Sequence, residues 1–92
     1  MIAGGKKRND LHDSVVARML SLPRGKVLDA GAGSGLLSLV LAEIGFEVTA
    51  ADVDRSFFRV ENPAIRFVVA DFNGTTPFPD GSFDAIVCLE VI

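Results

Sequence analysis

Asp29, Gly31, Gly33 and Gly35 stand at alternate positions, and this is the stretch whose residue types and spacing most suggest chemistry. Glycine reaches φ > 0 without steric cost, and having no side chain it lets a ligand approach the main chain. The loop follows β-preferring Val27-Leu28 and precedes an apolar run from Leu36 to Ile44, so strand, tight loop and helix are expected in that order. Such a loop is expected to bring backbone N–H groups and the positive end of a helix to a ligand with polar or anionic groups. A dinucleotide fingerprint would place its third glycine three residues after the second. Counted from Gly31 and Gly33 that position is Leu36, and counted from Gly33 and Gly35 it is Ser38, so neither frame fits well.

The elements that must position this loop follow from apolar periodicity and breakers. Asp10 can cap a first helix running to about Ser21, with Leu11, Val15, Met19 and Leu22 on one face. Pro23-Arg24-Gly25 ends it and turns the chain into a strand at 26–29. The helix after the glycine loop has little polar face, and Gly45 closes it in the C′ role. A second strand is expected at 46–51, with Asp52-Val53-Asp54 at its carboxyl end, and residues 56–60 allow only a turn or two before Asn62-Pro63. A third strand at 65–70 leads into Asp71-Phe72. A loop containing Gly74, Pro77, Pro79 and Gly81 leads to a fourth at about 83–89.

Strands alternating with helices predict an α/β fold with a parallel sheet, right-handed crossovers and ligands outside the carboxyl ends of the strands. Asp29, Asp52, Asp71 and Glu90 each fall at such an end. A carboxylate at the position of Asp52 can accept hydrogen bonds from both hydroxyls of a ribose. An acid about 20 residues past the loop is shared by dinucleotide sites, so it does not by itself name the ligand. Asp54 reads as an exposed turn or cap acid, Asp80 and Asp84 as turn and strand-start residues, His12 as exposed or locally bonded, and Cys88 as a small buried core residue.

Composition bounds the rest. Ninety-two residues allow at most one domain. Apolar residues make up 49% of the chain and charged ones 23%, a balance that fits a packed chain and not a disordered one. A net charge of −3 gives no general attraction to nucleic acid or anionic membrane. The single cysteine excludes an internal disulfide and a cysteine-based zinc cluster, and no metal site is expected. Residues 1–9, with Lys6-Lys7-Arg8, read as a flexible arm without the apolar segment of a signal peptide. No apolar stretch approaches the roughly 20 residues of a membrane span. A soluble, cytoplasmic protein is expected.

The pattern Asp29-x-Gly31-x-Gly33-x-Gly35 resembles motif I of the class I S-adenosylmethionine-dependent methyltransferases. The resemblance continues through 48–54, 67–72 and the Pro-Phe-Pro-Asp-x-Ser-Phe-Asp approach to the fourth strand, and covers most of 23–92. It implies a Rossmann-like sheet of order 3-2-1-4, truncated before strands 5, 7 and 6, with 10–92 as a partial cofactor-binding domain. It also implies site roles: Gly31, Ala32 and Gly33 at the methionyl portion, Asp52 at the ribose, Val53 along the adenine, and Asp71 at its amino group. Phe72 would supply a backbone donor and apolar cover, Asp29 would orient the loop and the methionine ammonium, and Leu89 with Glu90 would border the methyl group. The stretch between Asp52 and Asp71 is shorter than in many members, so the second crossover helix is expected to be reduced.

Methyl transfer from a sulfonium needs mainly alignment of the acceptor and exclusion of water, so no invariant base is required and none is named here. The expected function is methyl transfer from S-adenosyl-L-methionine to a small-molecule acceptor, the 92-residue chain itself being inactive. A non-catalytic cofactor-binding remnant or partner subunit and a nicotinamide oxidoreductase half-domain are the alternatives. Residues 85–89 are apolar at every position, which leads to an expectation of self-association through an open fourth strand.

Overall fold

Short runs rich in valine, isoleucine and alanine build four parallel strands: β1 (Lys26–Ala30), β2 (Glu47–Asp52), β3 (Ile65–Val69) and β4 (Ala85–Cys88). The structure is a computed structural model that describes residues 8–72 and 77–88, with side chains from residue 13 onward. The sheet order is β3-β2-β1-β4, as the resemblance implies. Central β1 sets Val27 opposite Val48 on one side and Ala85 on the other, while Ala30 ends opposite Ala51 and Cys88. The carboxyl ends of β1, β2 and β4 are thereby brought level.

Two helices, α1 (Arg8–Leu20) and α2 (Leu36–Glu43), lie on one face of the sheet. Met19 of α1 and Leu37 and Leu41 of α2 pack with Val27, Val48 and Val87, and Phe46 closes the cluster. Val27 and Leu41 are fully buried, and burial of such a side chain stabilises the fold by roughly 1.5–3 kcal/mol. The opposite face has a smaller core of Leu28, Ala30, Ala51 and Ala70, covered by Phe78 and Phe83 from the segment before β4. Those two rings meet edge to face at 5.1 Å.

Two sequence expectations change, and a third, the reduced second crossover, holds. Helix α1 begins at Arg8, so Asp10 lies within its first turn rather than capping it, and Leu22 falls beyond its end. The end is fixed by Arg24, whose guanidinium Nη1 donates to the Leu20 and Leu22 carbonyls at 3.2 and 2.7 Å and whose Nε donates to Ile44 O at 2.7 Å. One side chain thus receives the orphan carbonyls at the C-terminal ends of both helices while lying over the Phe46 ring. The second crossover, expected to be reduced, holds a single 3-10 turn (Arg55–Phe57) and no α-helix.

The second change is Cys88, which is exposed and not a core residue. Side chains alternate in direction along a strand. Val87 accordingly faces the helices at 8% exposure, while Ile86, at 65%, faces the other side, and Cys88 follows Ile86 in the alternation. Among the described residues β4 therefore has one buried face, where the sequence suggested two. Leu89 and Glu90 lie outside the described residues, as do the 1–7 portion of the expected arm and Gly74. Among the described residues no helix is long and apolar enough to cross a membrane.

Candidate functional site

The chain leaves β1 at Ala30 and passes through Gly31, Gly33 and Gly35 with φ of 77°, 58° and 92°, then enters α2. Positive φ at all three is the physical reason for glycine at alternate positions. The end of β2 holds the loop. Because Ala30 is level with Ala51, the next two amides reach the same acceptor: Ala51 O takes N–H bonds from Gly31 at 2.8 Å and Ala32 at 3.0 Å. Asp52 Oδ2 accepts from Gly33 N at 2.9 Å, and Ala32 O accepts from Gly35 N at 3.0 Å.

This corrects the expectation of an amide cradle. The N–H groups of Gly31, Ala32, Gly33 and Gly35 are directed at protein acceptors, not outward to an anion. The loop is a backbone shelf beside a carboxylate.

Asp52 sits at the rim of that shelf. Its Oδ1 accepts from Val53 N at 2.7 Å, so each carboxylate oxygen carries one backbone bond. An ionised carboxylate offers about four acceptor positions, which leaves room on both oxygens for ligand hydroxyls.

A cleft of ≈ 420 Å³ opens at this edge, within the size range of small-ligand sites. It brings together Gly31, Asp52, Val53, Asp71 and Phe72, five of the nine residues expected from sequence. Ala30, Ala70 and Cys88 complete its lining, and none of the eight is basic. Val53 is 63% exposed, presenting its side chain at the mouth. Gly33, whose amide is bonded to Asp52 of the cleft, faces open space: a Cβ added there would meet no atom of the described residues beyond its chain neighbours within 4 Å.

Asp29 is placed differently. It is 2% exposed on the helical face of β1 and accepts from Ser38 Oγ at 2.7 Å, beneath the loop and apart from the cleft lining. Ser38 is fully buried, and this bond accounts for a polar residue on the inner face of an otherwise apolar helix. The sequence carries a signal for it, since Ser38 interrupts a run of leucines after an acid, but periodicity alone does not pair the two. Ala30, Ala70 and Cys88 were also missed as cleft residues, because small apolar side chains at strand ends look like core.

Asp54 behaves as the cap acid expected of it, accepting from Ser56 N at 2.8 Å. The hydrogen bonds from Ser56 hold its carboxyl below the ordinary value. Asp84 joins β4 to β1 by accepting from Lys26 N at 2.8 Å, a strand-start role.

The family model described as a methyltransferase domain matches residues 28–92. A ubiquinone biosynthesis O-methyltransferase from Xanthomonas campestris pv. campestris is 32% identical over 91 residues, which is 91% of this chain and 38% of that protein. The putative methyltransferase YqeM of Bacillus subtilis is 39% identical over 74 residues, covering 73% of this chain and 30% of the relative. The matched region thus spans only 38% and 30% of the length of these two relatives. Among solved structures, a putative methyltransferase from an antibiotic biosynthesis pathway of Anabaena variabilis superposes with a TM-score of 0.71 at 27% identity, over 85% of this chain and 32% of that one. A TehB-like SAM-dependent methyltransferase from Corynebacterium glutamicum gives 0.65 at 29%, over 96% and 48%. Sheet order, the glycine shelf with its acid at the end of β2, and these matches agree, and the chain belongs to the class I S-adenosylmethionine-dependent methyltransferase family.

Proposed function

We propose that this chain provides the S-adenosyl-L-methionine site of a methyltransferase acting on a small-molecule acceptor, with 10–92 as the cofactor-binding unit. The observation that carries the reading is the direction of the loop amides. A dinucleotide needs donors or basic side chains for its pyrophosphate. Here four loop N–H groups are already bonded within the protein, and the cleft is rimmed by Asp52 and Asp71. Such an edge suits a cofactor with a cationic end and ribose hydroxyls.

When bound, the cofactor supplies an electrophilic methyl group on a sulfonium. The chain's own residues bind and orient it. Asp52 accepts from the ribose hydroxyls, Val53 and Phe72 cover the adenine, Asp71 accepts from its amino group, and Gly31, Ala32 and Gly33 give the methionyl portion close approach to the main chain. Asp29 acts from beneath the loop, through Ser38 and the end of β1. Leu89 is assigned to the border of the methyl group. The small-molecule acceptor is supported by the ubiquinone biosynthesis O-methyltransferases among the relatives.

A cytoplasmic setting is supported by a single cysteine that has no partner for an internal disulfide. Self-association through β4 is supported by Ile86 at 65% exposure, since exposed apolar surface favours association. Sedimentation at two concentrations tests it. Calorimetric titration of the chain with S-adenosylhomocysteine and, separately, NADH tests the cofactor reading. Heat of binding is expected with the first only; saturable binding of NADH alone would replace it with the oxidoreductase reading.

A further inference from the structure

The 3-10 turn that replaces the second crossover helix is followed by an extended segment, 58–60, that runs back to the glycine loop. Phe58 is extended (φ −75°, ψ 124°), and Arg59 N donates to Ser34 O at 2.9 Å. A Cβ built on Gly35 would stand 2.5 Å from Phe58 Cε1 and 2.7 Å from Val60 Cγ2, so the two side chains occupy the space that any other residue at position 35 would require. Phe58 is itself fixed from below, with its ring 4.8 Å from that of Phe67 on β3, and Arg55 lies over the same Phe67 ring. None of these residues lines the cleft.

We infer that 58–60 is a positioning strap for the glycine loop: by clamping Ser34 and Gly35 it sets the loop shape on which cofactor affinity depends. The inference rests on reading the cleft as the cofactor site. The first half of the loop is tethered to Ala51 and Asp52, and the strap supplies the second tether. Without it, the backbone bonds at Ser34 and Gly35 among the described residues are local ones, Gly35 N to Ala32 O and Leu39 N to Gly35 O, and none ties this half of the loop to the β2–β3 connection. Phe58 is therefore a positioning residue that never touches the cofactor.

The test compares the wild-type chain with Phe58→Ala, Phe58→Leu and Arg59→Pro. The last removes the donor to Ser34, and the extended Phe58 backbone already suits a residue preceding proline. Amide exchange is followed without ligand, and affinity for S-adenosylhomocysteine is measured separately. Exchange of the Gly33 and Gly35 amides is expected to accelerate about tenfold in Phe58→Ala and Arg59→Pro while the Val48 and Ala50 amides of β2 keep their rates, a local opening rather than global unfolding. Affinity should fall in the same two variants, with Phe58→Leu restoring most of both. Unchanged loop exchange, or equal acceleration in loop and β2, would overturn the strap. If the wild-type chain binds no S-adenosylhomocysteine, the cofactor reading fails by itself, and the exchange rates still decide whether the strap holds the loop.

Discussion

Gly33 and Gly35 are close neighbours in one motif, both at positive φ, yet they face opposite situations. Around Gly33 no atom of the described residues beyond its chain neighbours lies within 4 Å of a would-be Cβ, whereas at Gly35 the same atom would collide with Phe58 and Val60. The first glycine faces open space, where the proposed cofactor would lie, and the second leaves space for the protein. Identical residue choice at equivalent spacing thus serves access at one end of the loop and packing at the other.

The largest expected effect is on the packed end. Gly35→Ala should destabilise the fold by about 2–5 kcal/mol, combining the strain of a side chain at positive φ with overpacking against the strap. Urea unfolding measures it, and a loss below about 1 kcal/mol would mean that the strap yields easily and that the two glycines are alike. At the open end, Gly33→Val should abolish S-adenosylhomocysteine binding while costing the fold only about 1–2 kcal/mol of backbone strain. Calorimetry beside the same unfolding curve separates the two losses, and retained affinity would remove the shelf from the site.

Asp52→Ala sharpens the comparison, because this carboxylate accepts from the shelf at Gly33 and is also the proposed acceptor of the ribose hydroxyls. It should weaken binding by about 1–3 kcal/mol, the range for losing hydrogen bonds to a charged group. Asp54→Ala should change affinity far less, and equal losses in a titration would mean the ribose acid is misassigned.

The smallest effect concerns pH. Asp54 caps the turn leading into the strap, and its carboxyl lies below its ordinary value of 3.8 in the folded state because Ser56 donates to it. A depressed folded value contributes stability that is present above 3.8 and lost as pH falls from there through the folded value. Asp54→Asn should therefore lower the melting midpoint slightly at pH 7 and leave a smaller difference near pH 3. A difference that grows on acidification would contradict the cap.

Much of this architecture is legible in the residues. The alternation of apolar runs with Gly and Pro places four strands within one or two residues of their observed bounds. Gly45, expected to close α2, does so with φ 113°. The acids at strand ends point to the edge where the cleft lies, and Gly31, Asp52, Val53, Asp71 and Phe72 meet there. These features are local: period, breaker and strand-end position are properties of a few consecutive residues.

Tertiary structure decided which way each group faces and what it meets. The Gly31 and Ala32 amides turn inward because parallel pairing puts Ala51 O within their reach, a register no short stretch encodes. Cys88 is at the cleft and Val87 in the core because one sheet face carries both described helices. Ser38 meets Asp29 when α2 folds back on β1, Arg24 reaches Ile44 at the end of α2, and Phe58 meets Gly35, contacts that exist only once helix and connection have packed on the sheet. A hydrogen bond or a steric limit depends on three-dimensional distance, and residues so far apart along the chain have no fixed distance until the sheet has formed.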